Sequence, residues 1–309
     1  MKAIVTGGAG FIGSHLVDAL LERGDRVAVV DDFSSGKDEN LQAAVERGAA
    51  VHRADIRDAA RIKDVFAAEQ PDTVFHLAAQ VDVRVSVADP ALDARTNLEG
   101  TVNLLEAARE HGVGRLVFAS TGGAIYGEIE PVPTPETASP APMAPYGTSK
   151  LCAEQYLGLY HRLYGLSTVA MRFGNVYGPR QDPHGEAGVI AIFCGRLEAG
   201  ERPVVFGTGE QTRDYIYVDD VVSGLMAAGD SEVTGAINLG TEEETSVLRL
   251  IELLGEHAPD GFEPEFRDAR LGEVERSCLA VGYAREVLGW ESEVDIEEGM
   301  RRTYAWAVT

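Results

Sequence analysis

The sequence predicts an α/β fold with a doubly wound parallel sheet and a smaller C-terminal α/β region. Short apolar runs that are typical of strands alternate with stretches in which apolar residues recur at helical spacing. A strand that is apolar at every position is typical of a parallel sheet, because helices cover both of its faces. The strands are expected at 3–6, 27–31, 73–78 and 115–120, and the helices near 14–23, 57–68 and 96–111.

The alternation becomes irregular after residue 172, where Gly- and Pro-rich connections occupy 178–188 and 200–209. We therefore expect a first domain over 1–172, joined by a returning segment near 214–240, and a second region over 173–309. Ligands of open α/β sheets lie beyond the carboxyl ends of the strands. The second region is thus expected to close over that edge and to supply the substrate pocket.

The composition limits the classes of partner. The chain has 309 residues and a net charge of −23, so a polyanion would be repelled, and we expect neither a nucleic-acid partner nor a membrane partner. The cysteines, Cys152, Cys194 and Cys278, are odd in number and far apart, which indicates neither a disulfide framework nor a metal site. No apolar run reaches the roughly 18 to 20 residues of a membrane span, and no secretory signal is recognisable. A cytoplasmic location is expected.

The segment TGGAGFIG places Gly7, Gly8, Gly10 and Gly13 between the first strand and the first helix. Asp31 ends the next strand, 18 residues beyond Gly13. This context is typical of a Rossmann dinucleotide site, where glycines let the backbone approach a pyrophosphate at a helix N-terminus. A carboxylate at the end of the second strand can accept hydrogen bonds from ribose hydroxyls and repels the extra phosphate of NADP. NAD is therefore the expected cofactor.

Another acidic residue, Asp55, follows a short predicted strand in the segment DIRD. One interpretation places its carboxylate near the adenine amino group of the cofactor. The other interpretation is a solvated loop acid, and the residues alone do not decide between them.

Tyr146 and Lys150 occur in the segment YGTSK, four residues apart, so on a helix both side chains point to the same side. A phenol is a poor base at neutral pH, but a nearby ammonium favours the phenolate and is expected to lower the phenol pKa. Tyr146 could then take a proton from a sugar hydroxyl while the adjacent carbon gives a hydride to the nicotinamide.

With these motifs the chain resembles the extended short-chain dehydrogenase/reductase family, and within it the UDP-hexose 4-epimerases. The resemblance extends over the whole length through TGGAGFIGSH, HLAAQ, STGGAIYGE, PYGTSK, RFGNVYGPRQ, RDYIYVDD and RLGE. It implies a tightly held NAD that oxidises C4 of a UDP-hexose, a keto-sugar that turns over in the pocket, and hydride return to the opposite face. The implied activity is interconversion of UDP-glucose and UDP-galactose, with the N-acetyl sugars as further substrates.

The resemblance also implies roles for individual residues. Asn175 would hold a UDP phosphate, and Arg213 and Arg270 would clamp the pyrophosphate. The cofactor would contact Gly7, Gly10, Phe11, Ile12, Gly13, Asp31, Asp32, Asp55, Ile56, Leu77, Ala78, Ala79, Asn97, Tyr146 and Lys150. The substrate would contact Asn175, Val189, Val205, Phe206, Arg213, Arg270 and Ser277, with Val205 and Phe206 at the uracil.

One position departs from the family pattern. Many members carry a hydroxyl that bonds the sugar O4 at the position of Gly122, which has no side chain. Thr121 or Ser120 must then supply that contact, and we favour Thr121.

Two further expectations concern substrate breadth and assembly. In the resembled epimerases, the size of the residue seven positions after the arginine of the R-x-G-D/E motif gates the sugar C2 substituent. Counting from Arg270 places Ser277 there, and a one-residue gap would place Arg276 or Cys278 there instead. The segment 151–164 is apolar over more than one face, which favours a homodimer in which such helices pair across a two-fold axis.

Three alternatives stay open. A nucleotide-sugar 4,6-dehydratase needs an acid and a base beside the threonine, where this chain has Gly122 and Gly123. A UDP-glucuronate 4-epimerase or decarboxylase would share the cofactor and the base. A non-catalytic NAD-binding regulator is disfavoured by the intact Tyr146 and Lys150 pair.

Overall fold

The structure, a computed structural model, describes residues 1–183, 188–257, 262–269 and 274–308. The strands are β1 (Lys2–Thr6), β2 (Arg26–Asp31), β3 (Ala50–Arg53), β4 (Thr73–His76), β5 (Arg115–Thr121), β6 (Ser167–Phe173), β7 (Asn175–Tyr177), β8 (Val204–Phe206), β9 (Thr212–Arg213), β10 (Tyr215–Tyr217), β11 (Gly235–Leu239), β12 (Thr245–Ser246), β13 (Glu265–Arg267) and β14 (Arg276–Ser277).

The α-helices are α1 (Phe11–Glu22), α2 (Gln42–Glu46), α3 (Ala59–Glu69), α4 (Val83–Ala88), α5 (Pro90–Ala94), α6 (Gly100–Glu110), α7 (Gly122–Ile125), α8 (Pro145–Tyr164), α9 (Val189–Glu198), α10 (Val218–Asp230), α11 (Val247–Gly255), α12 (Gly282–Leu288) and α13 (Ile296–Ala307). A 3₁₀ turn covers Asp38–Leu41, and a π-helical turn, Arg95–Glu99, joins α5 to α6.

Seven strands of the described chain form one parallel sheet in the order β11-β6-β5-β4-β1-β2-β3. The chain builds the β2 side of β1 first and then crosses to β4, so the winding direction reverses between β1 and β4. This arrangement confirms the predicted doubly wound fold. The division of the chain at residue 172 stays a prediction.

Most strand positions are apolar on both faces of the sheet, because successive side chains enter two different cores. In β1, Val5 packs in one core with Val29 and Phe75, and helices α1 and α10 cover that core. Ile4 packs in the other with Val74, beneath α3, α6 and α8. Each strand position therefore loses water-exposed surface on folding.

The later part of the chain adds small sheets at the carboxyl edge of the large one. They have the orders β12-β9-β14, β13-β8 and β10-β7. The Asn175 amide at the start of β7 donates a hydrogen bond of 2.6 Å to the carbonyl of Asp214, which lies between β9 and β10. No helix of the described residues is long and apolar enough to span a membrane. The cytoplasmic location stays a prediction.

Candidate active site

The candidate site lies at the carboxyl ends of β1, β4 and β5. These strands are neighbours in the sheet, and all are parallel, so the segments that follow them meet at one edge. The edge includes the point between β1 and β4 where the winding direction reverses. Open α/β sheets bind ligands in the crevice that this reversal creates.

The glycines after β1 permit backbone contacts that no other residue would allow. Gly7 has φ +70°, and a Cβ built there would lie 2.6 Å from the Ala78 amide nitrogen. A Cβ on Gly13 would lie 2.1 Å from the Gly7 carbonyl oxygen. Gly10 is the N-cap of α1 and gives its first turn no side-chain hydrogen bond, so these amides are available to an anion. Phe11 and Ile12, which open this turn, are half-buried.

Asp31 ends β2 beside the glycine turn and is 7% exposed. Its Oδ2 accepts a hydrogen bond of 2.9 Å from the Ala9 amide, and its Oδ1 accepts one of 2.8 Å from the Phe33 amide. Each carboxylate oxygen can accept more than one hydrogen bond, so acceptor capacity is left for a ribose hydroxyl. Burial raises the pKa of Asp31, although both amide bonds oppose the shift.

The other acidic residues predicted at the adenosine end have local partners. Asp32 is exposed and accepts hydrogen bonds from the Ser34 amide and hydroxyl, as in an Asx turn. Both oxygens of Asp55 accept from the Arg57 guanidinium at 2.9 Å, and this pairing lowers the pKa of the Asp55 carboxyl. Ile56 is buried against α6. A contact from Asp55 to adenine therefore stays a prediction that competes with an ion pair.

The loop after β4 is fixed from both sides. The Leu77 amide donates to the Thr6 carbonyl, and the Ala78 amide donates to the Thr6 hydroxyl. Ala79, the next residue, is half-buried. Asn97 is 1% exposed, accepts from the Gln80 amide at 2.8 Å and donates to the Gln80 carbonyl at 2.8 Å. Asn97 thus fixes the loop that carries these residues, because both the oxygen and the nitrogen of its side-chain amide bond the Gln80 backbone.

Tyr146 and Lys150 lie one turn apart on α8, which begins with Pro145 and ends at Gly165 in the left-handed conformation. Lys150 is 2% exposed, and its Nζ donates to the Ala119 carbonyl at 2.8 Å. The Nζ lies 4.6 Å from the ring centroid of Phe118 and 6.0 Å from that of Tyr146. The predicted pair therefore faces the carboxyl end of β5.

The side-chain environment moves both pKa values away from their ordinary range. Burial raises the pKa of Tyr146, and the negative charge of Asp93 raises it further. Burial lowers the pKa of Lys150 to about 8, although Asp93 and Glu154 oppose this shift. The prediction that Lys150 lowers the pKa of Tyr146 below its ordinary value is wrong for the effect of the protein side chains. Burial of the phenol raises this pKa, and it is the largest effect on it.

The two hydroxyls at the end of β5 have different surroundings. Ser120 is 4% exposed and donates to Glu154 Oε1 at 2.6 Å, on the side of α8 that pairs with Arg172. Thr121 is half-buried, and its Oγ1 accepts from the Ala124 amide at 3.2 Å as the N-cap of α7. A hydroxyl that accepts one bond keeps its hydrogen for a donor bond. The geometry therefore favours Thr121 over Ser120 for a contact to a sugar.

The turn after Thr121 depends on its glycines. A Cβ on Gly122 would lie 2.5 Å from Leu279 Cδ1, so a leucine from late in the chain fills the space of the missing side chain. A Cβ on Gly147 would lie 2.3 Å from the Ala124 carbonyl oxygen, so this glycine lets α8 pack closely on α7. The approach places the Tyr146 turn beside the Thr121 turn.

Five of the predicted substrate residues lie in the small sheets, and Val189 begins α9. Asn175 begins β7, and its Oδ1 lies 3.6 Å from the position of a Cβ on Gly123. Arg213 and Ser277 are register partners in β9 and β14, and both are half-buried. Val205 is 1% exposed within the main core, so its side chain lines no open pocket and only its backbone could face uracil. Phe206 and Val189 are half-buried, and Arg270 lies outside the described residues.

Two residues that the motifs did not single out lie beside the pair. His76 is 1% exposed and bridges the hydroxyls of Thr6 and Thr101 at 2.8 and 2.9 Å, and burial lowers its pKa to about 3. Asp93 is fully buried and accepts from Ser149 of the YGTSK segment. The spacing of Asp93 and Asn97, four residues apart in a helical stretch, is the sequence signal that could have identified Asp93.

The sequence of residues 3–240 matches the model of the NAD dependent epimerase/dehydratase family. The chain belongs to this family. The UDP-glucose 4-epimerase of Mycolicibacterium smegmatis is 47% identical over 305 residues, which cover 98% of this chain and 97% of that protein. These findings confirm the predicted resemblance.

Solved structures agree with this membership. The structure of the UDP-glucose 4-epimerase of Thermotoga maritima with UDP-glucose is 48% identical and has a TM-score of 0.96, with 99% of this chain and 98% of that chain covered. The Thermus thermophilus UDP-glucose 4-epimerase in complex with NAD is 44% identical and has a TM-score of 0.93, with 99% of both chains covered. NAD is therefore the cofactor, as predicted.

The residues present fit the cofactor of the epimerase/dehydratase family. Gly7 and Gly13 keep the backbone free of side chains where the turn is tightest, and the uncapped first turn of α1 offers amides to a pyrophosphate. Asp31 presents a buried carboxylate at the end of β2, where the 2′-phosphate of NADP would be repelled. These features favour NAD over NADP.

Proposed function

We propose that this enzyme interconverts UDP-glucose and UDP-galactose at C4 of the hexose. The observation that carries the proposal is the meeting of Tyr146 and Lys150 with the Thr121 turn, in which Gly122 and Gly123 follow the hydroxyl. A dehydratase would need an acid and a base at those two positions, and a glycine transfers no proton.

Tyr146, Lys150 and Thr121 each have a separate role in the proposed reaction. NAD, when bound, supplies a site that takes the C4 hydride and gives it back. Tyr146 in its phenolate form takes the proton of the C4 hydroxyl as the carbon is oxidised, and it returns that proton when the hydride comes back to the opposite face. Lys150 is mostly charged at neutral pH, since its pKa is about 8, and its ammonium stabilises the negative charge of the phenolate. Thr121 donates a hydrogen bond to the sugar oxygen and so orients it.

The test is incubation of the purified enzyme with UDP-galactose, UDP-glucose, their N-acetylated counterparts and UDP-glucuronate, with products resolved by chromatography. UDP-galactose and UDP-glucose should reach the same equilibrium mixture without added cofactor. Turnover of UDP-glucuronate alone, or release of water to give a 4-keto-6-deoxy sugar, would contradict the proposal. NAD released from denatured enzyme should approach one equivalent, and NADP in its place would contradict the role given to Asp31.

We further propose that Ser277 gates the substituent at C2 of the sugar. Neighbouring residues of a strand face opposite sides, and Ser277 shares its side with its register partner Arg213. Arg276 instead pairs with Glu244 at 2.6 Å, and Cys278 is buried, which favours Ser277 over both neighbours. A serine leaves room for an acetamido group. Ser277→Tyr should reduce turnover of the N-acetylated substrate roughly ten- to a hundredfold and leave UDP-glucose turnover little changed.

We also propose a homodimer in which the exposed face of α8 pairs with its symmetry copy. Tyr156, Leu159 and Leu163 lie on one side of α8 with exposures of 39%, 37% and 60%. The neighbouring α4 adds Val83 and Val87, also exposed. A cluster of exposed apolar side chains on two neighbouring helices favours an isologous interface.

The dimer is tested by mass in solution, from light scattering at micromolar concentration. Leu163→Glu should produce a monomer, because it places a charge within the proposed apolar contact. The control is Val45→Glu on α2, where Val45 is 51% exposed away from this face. A monomeric wild-type protein, or equal effects of the two variants, would contradict the proposed interface.

A further inference from the structure

Asp93 is a buried carboxylate at the junction of three elements. It lies at the end of α5 and is fully buried. Its Oδ1 accepts from Gln80 Nε2 at 3.1 Å and from Asn97 Nδ2 at 3.0 Å, and its Oδ2 accepts from Ser149 Oγ at 2.5 Å. The donors come from the loop after β4, from the π-helical turn and from α8. Asp93 therefore links the cofactor loop to the helix that carries the predicted base.

The three donors to Asp93 are neutral groups, so they solvate the charge without cancelling it. An unneutralised charge in the interior acts on its neighbours with little screening. Ser149, which donates its hydroxyl hydrogen to Asp93, is directly followed by Lys150 in the chain. Burial lowers the pKa of Lys150, and the Asp93 carboxylate opposes that shift. Burial raises the pKa of Tyr146, and the same carboxylate adds to that shift.

The other titratable groups around Lys150 are differently placed. Glu154 lies one turn further along α8, and its carboxylate pairs with the Arg172 guanidinium of β6 at 2.6 Å, so much of its charge is compensated. His76 of β4 has a pKa of about 3 and is neutral at physiological pH. Burial raises the pKa of Tyr146, so its phenol does not supply a countercharge to Lys150 in the resting enzyme. Among the described residues whose charges act on Lys150, Asp93 is therefore the acid that has no cationic partner.

We propose that Asp93 is a positioning residue whose carboxylate fixes the Ser149 turn of α8 against the cofactor loop and keeps Lys150 as an ammonium ion. Its effect on turnover rests on the proposed epimerase function, and its effect on Lys150 does not. Asp93 touches neither the sugar nor the reacting atoms in this role. It acts on the reaction through Lys150 and Tyr146.

The substitution Asp93→Asn separates charge from geometry. The asparagine oxygen can accept from Gln80 and Asn97, and its amide can donate to the Ser149 hydroxyl, which is also an acceptor. The control is Asp89→Asn, since Asp89 is exposed at the N-cap of α5 and asparagine is an equally good cap. Ser149→Ala makes the complementary change, because it keeps the charge of Asp93 and removes its bond to α8.

The first measurement is the titration of the Lys150 amine by NMR in NAD-bound enzyme with carbon-13 in the lysine side chains. The chain has only four lysines, at positions 2, 37, 63 and 150, so Lys150→Arg identifies the signal. In Asp93→Asn the Lys150 midpoint should shift to lower pH by about one unit. It should stay unchanged in Asp89→Asn. An unchanged midpoint in Asp93→Asn, or an equal shift in Asp89→Asn, would overturn the proposal.

The second measurement is the pH dependence of UDP-galactose turnover. Both limbs of the profile should move to lower pH in Asp93→Asn, since loss of the negative charge lowers the pKa of Tyr146 and of Lys150 together. Ser149→Ala should lower the height of the profile without moving it. A Lys150 midpoint that falls as far in Ser149→Ala as in Asp93→Asn would show that packing, and not charge, sets it. Failure of the epimerase proposal would appear as absent wild-type turnover with the NMR shift intact.

Discussion

Gly122→Ala should destabilise the protein through a steric conflict with Leu279. The added Cβ would lie 2.5 and 2.6 Å from the two methyl groups of Leu279 and 3.1 Å from its Cγ. Leu279 is 1% exposed and packs with Ile125 and Tyr126. Its backbone cannot move away easily, because its amide donates to Asp214 Oδ2 at 3.1 Å. The leucine side chain must therefore change rotamer inside a closed cluster.

The size of the effect follows from these contacts. Forcing one methyl group into a packed core costs about 1 to 3 kcal/mol. Leu279→Ala removes the obstacle but leaves a cavity, which costs about 2 to 5 kcal/mol. In the double variant the conflict is absent, so its cost should fall below the sum of the single costs by about 1 to 3 kcal/mol.

The assay is equilibrium unfolding in urea, followed by circular dichroism with NAD at one fixed saturating concentration, because bound cofactor contributes to the free energy of unfolding. The control is Gly282→Ala at the start of α12, where a Cβ would meet nothing within 4 Å. That change should be neutral or stabilise by up to about 1 kcal/mol. A cost below about 0.5 kcal/mol for Gly122→Ala, or additive single costs in the double variant, would refute the steric argument.

Three further predictions concern the reaction itself. Tyr146→Phe should lower turnover by roughly 10²- to 10⁴-fold and leave the UDP-glucose affinity measured by calorimetry nearly unchanged, because only the transferable proton is lost. Thr121→Val should lower turnover roughly 100-fold, because it removes the hydroxyl that contacts the sugar. Ser120→Ala should leave turnover unchanged and lower the free energy of unfolding by about 1 kcal/mol, because it removes only a hydrogen bond to Glu154. The reverse pattern would assign the sugar contact to Ser120. Turnover should decline as the pH rises through about 8, because burial lowers the pKa of Lys150 to about that value and the ammonium is lost above it. A steady-state pH profile that stays flat to higher pH would contradict this prediction.

The features that the sequence predicts correctly are those with a local signal. The parallel sheet follows from apolar runs, and the glycine turn with Asp31 follows from spacing, because strand, turn and helix are contiguous there. The space beside Gly122 has no local signal, since the leucine that fills it is Leu279, far along the chain. The pKa of Tyr146 escaped prediction for the same reason. The charged neighbour is visible in the segment, but the burial that dominates the shift is a property of the folded chain.

Helix α8 connects the chemistry to the sheet and to the proposed dimer contact. Lys150 faces Ala119 on β5, and Glu154, one turn later, faces Ser120 and the β6 guanidinium of Arg172. Both contacts fix the rotation of α8 about its own axis relative to the sheet. Because successive residues of a helix are separated by a constant angle, this rotation also determines which side of α8 carries Leu163 outward. A partner helix packed on that side would resist the same rotation, so dimerisation would hold Tyr146 at the Thr121 turn without touching either residue.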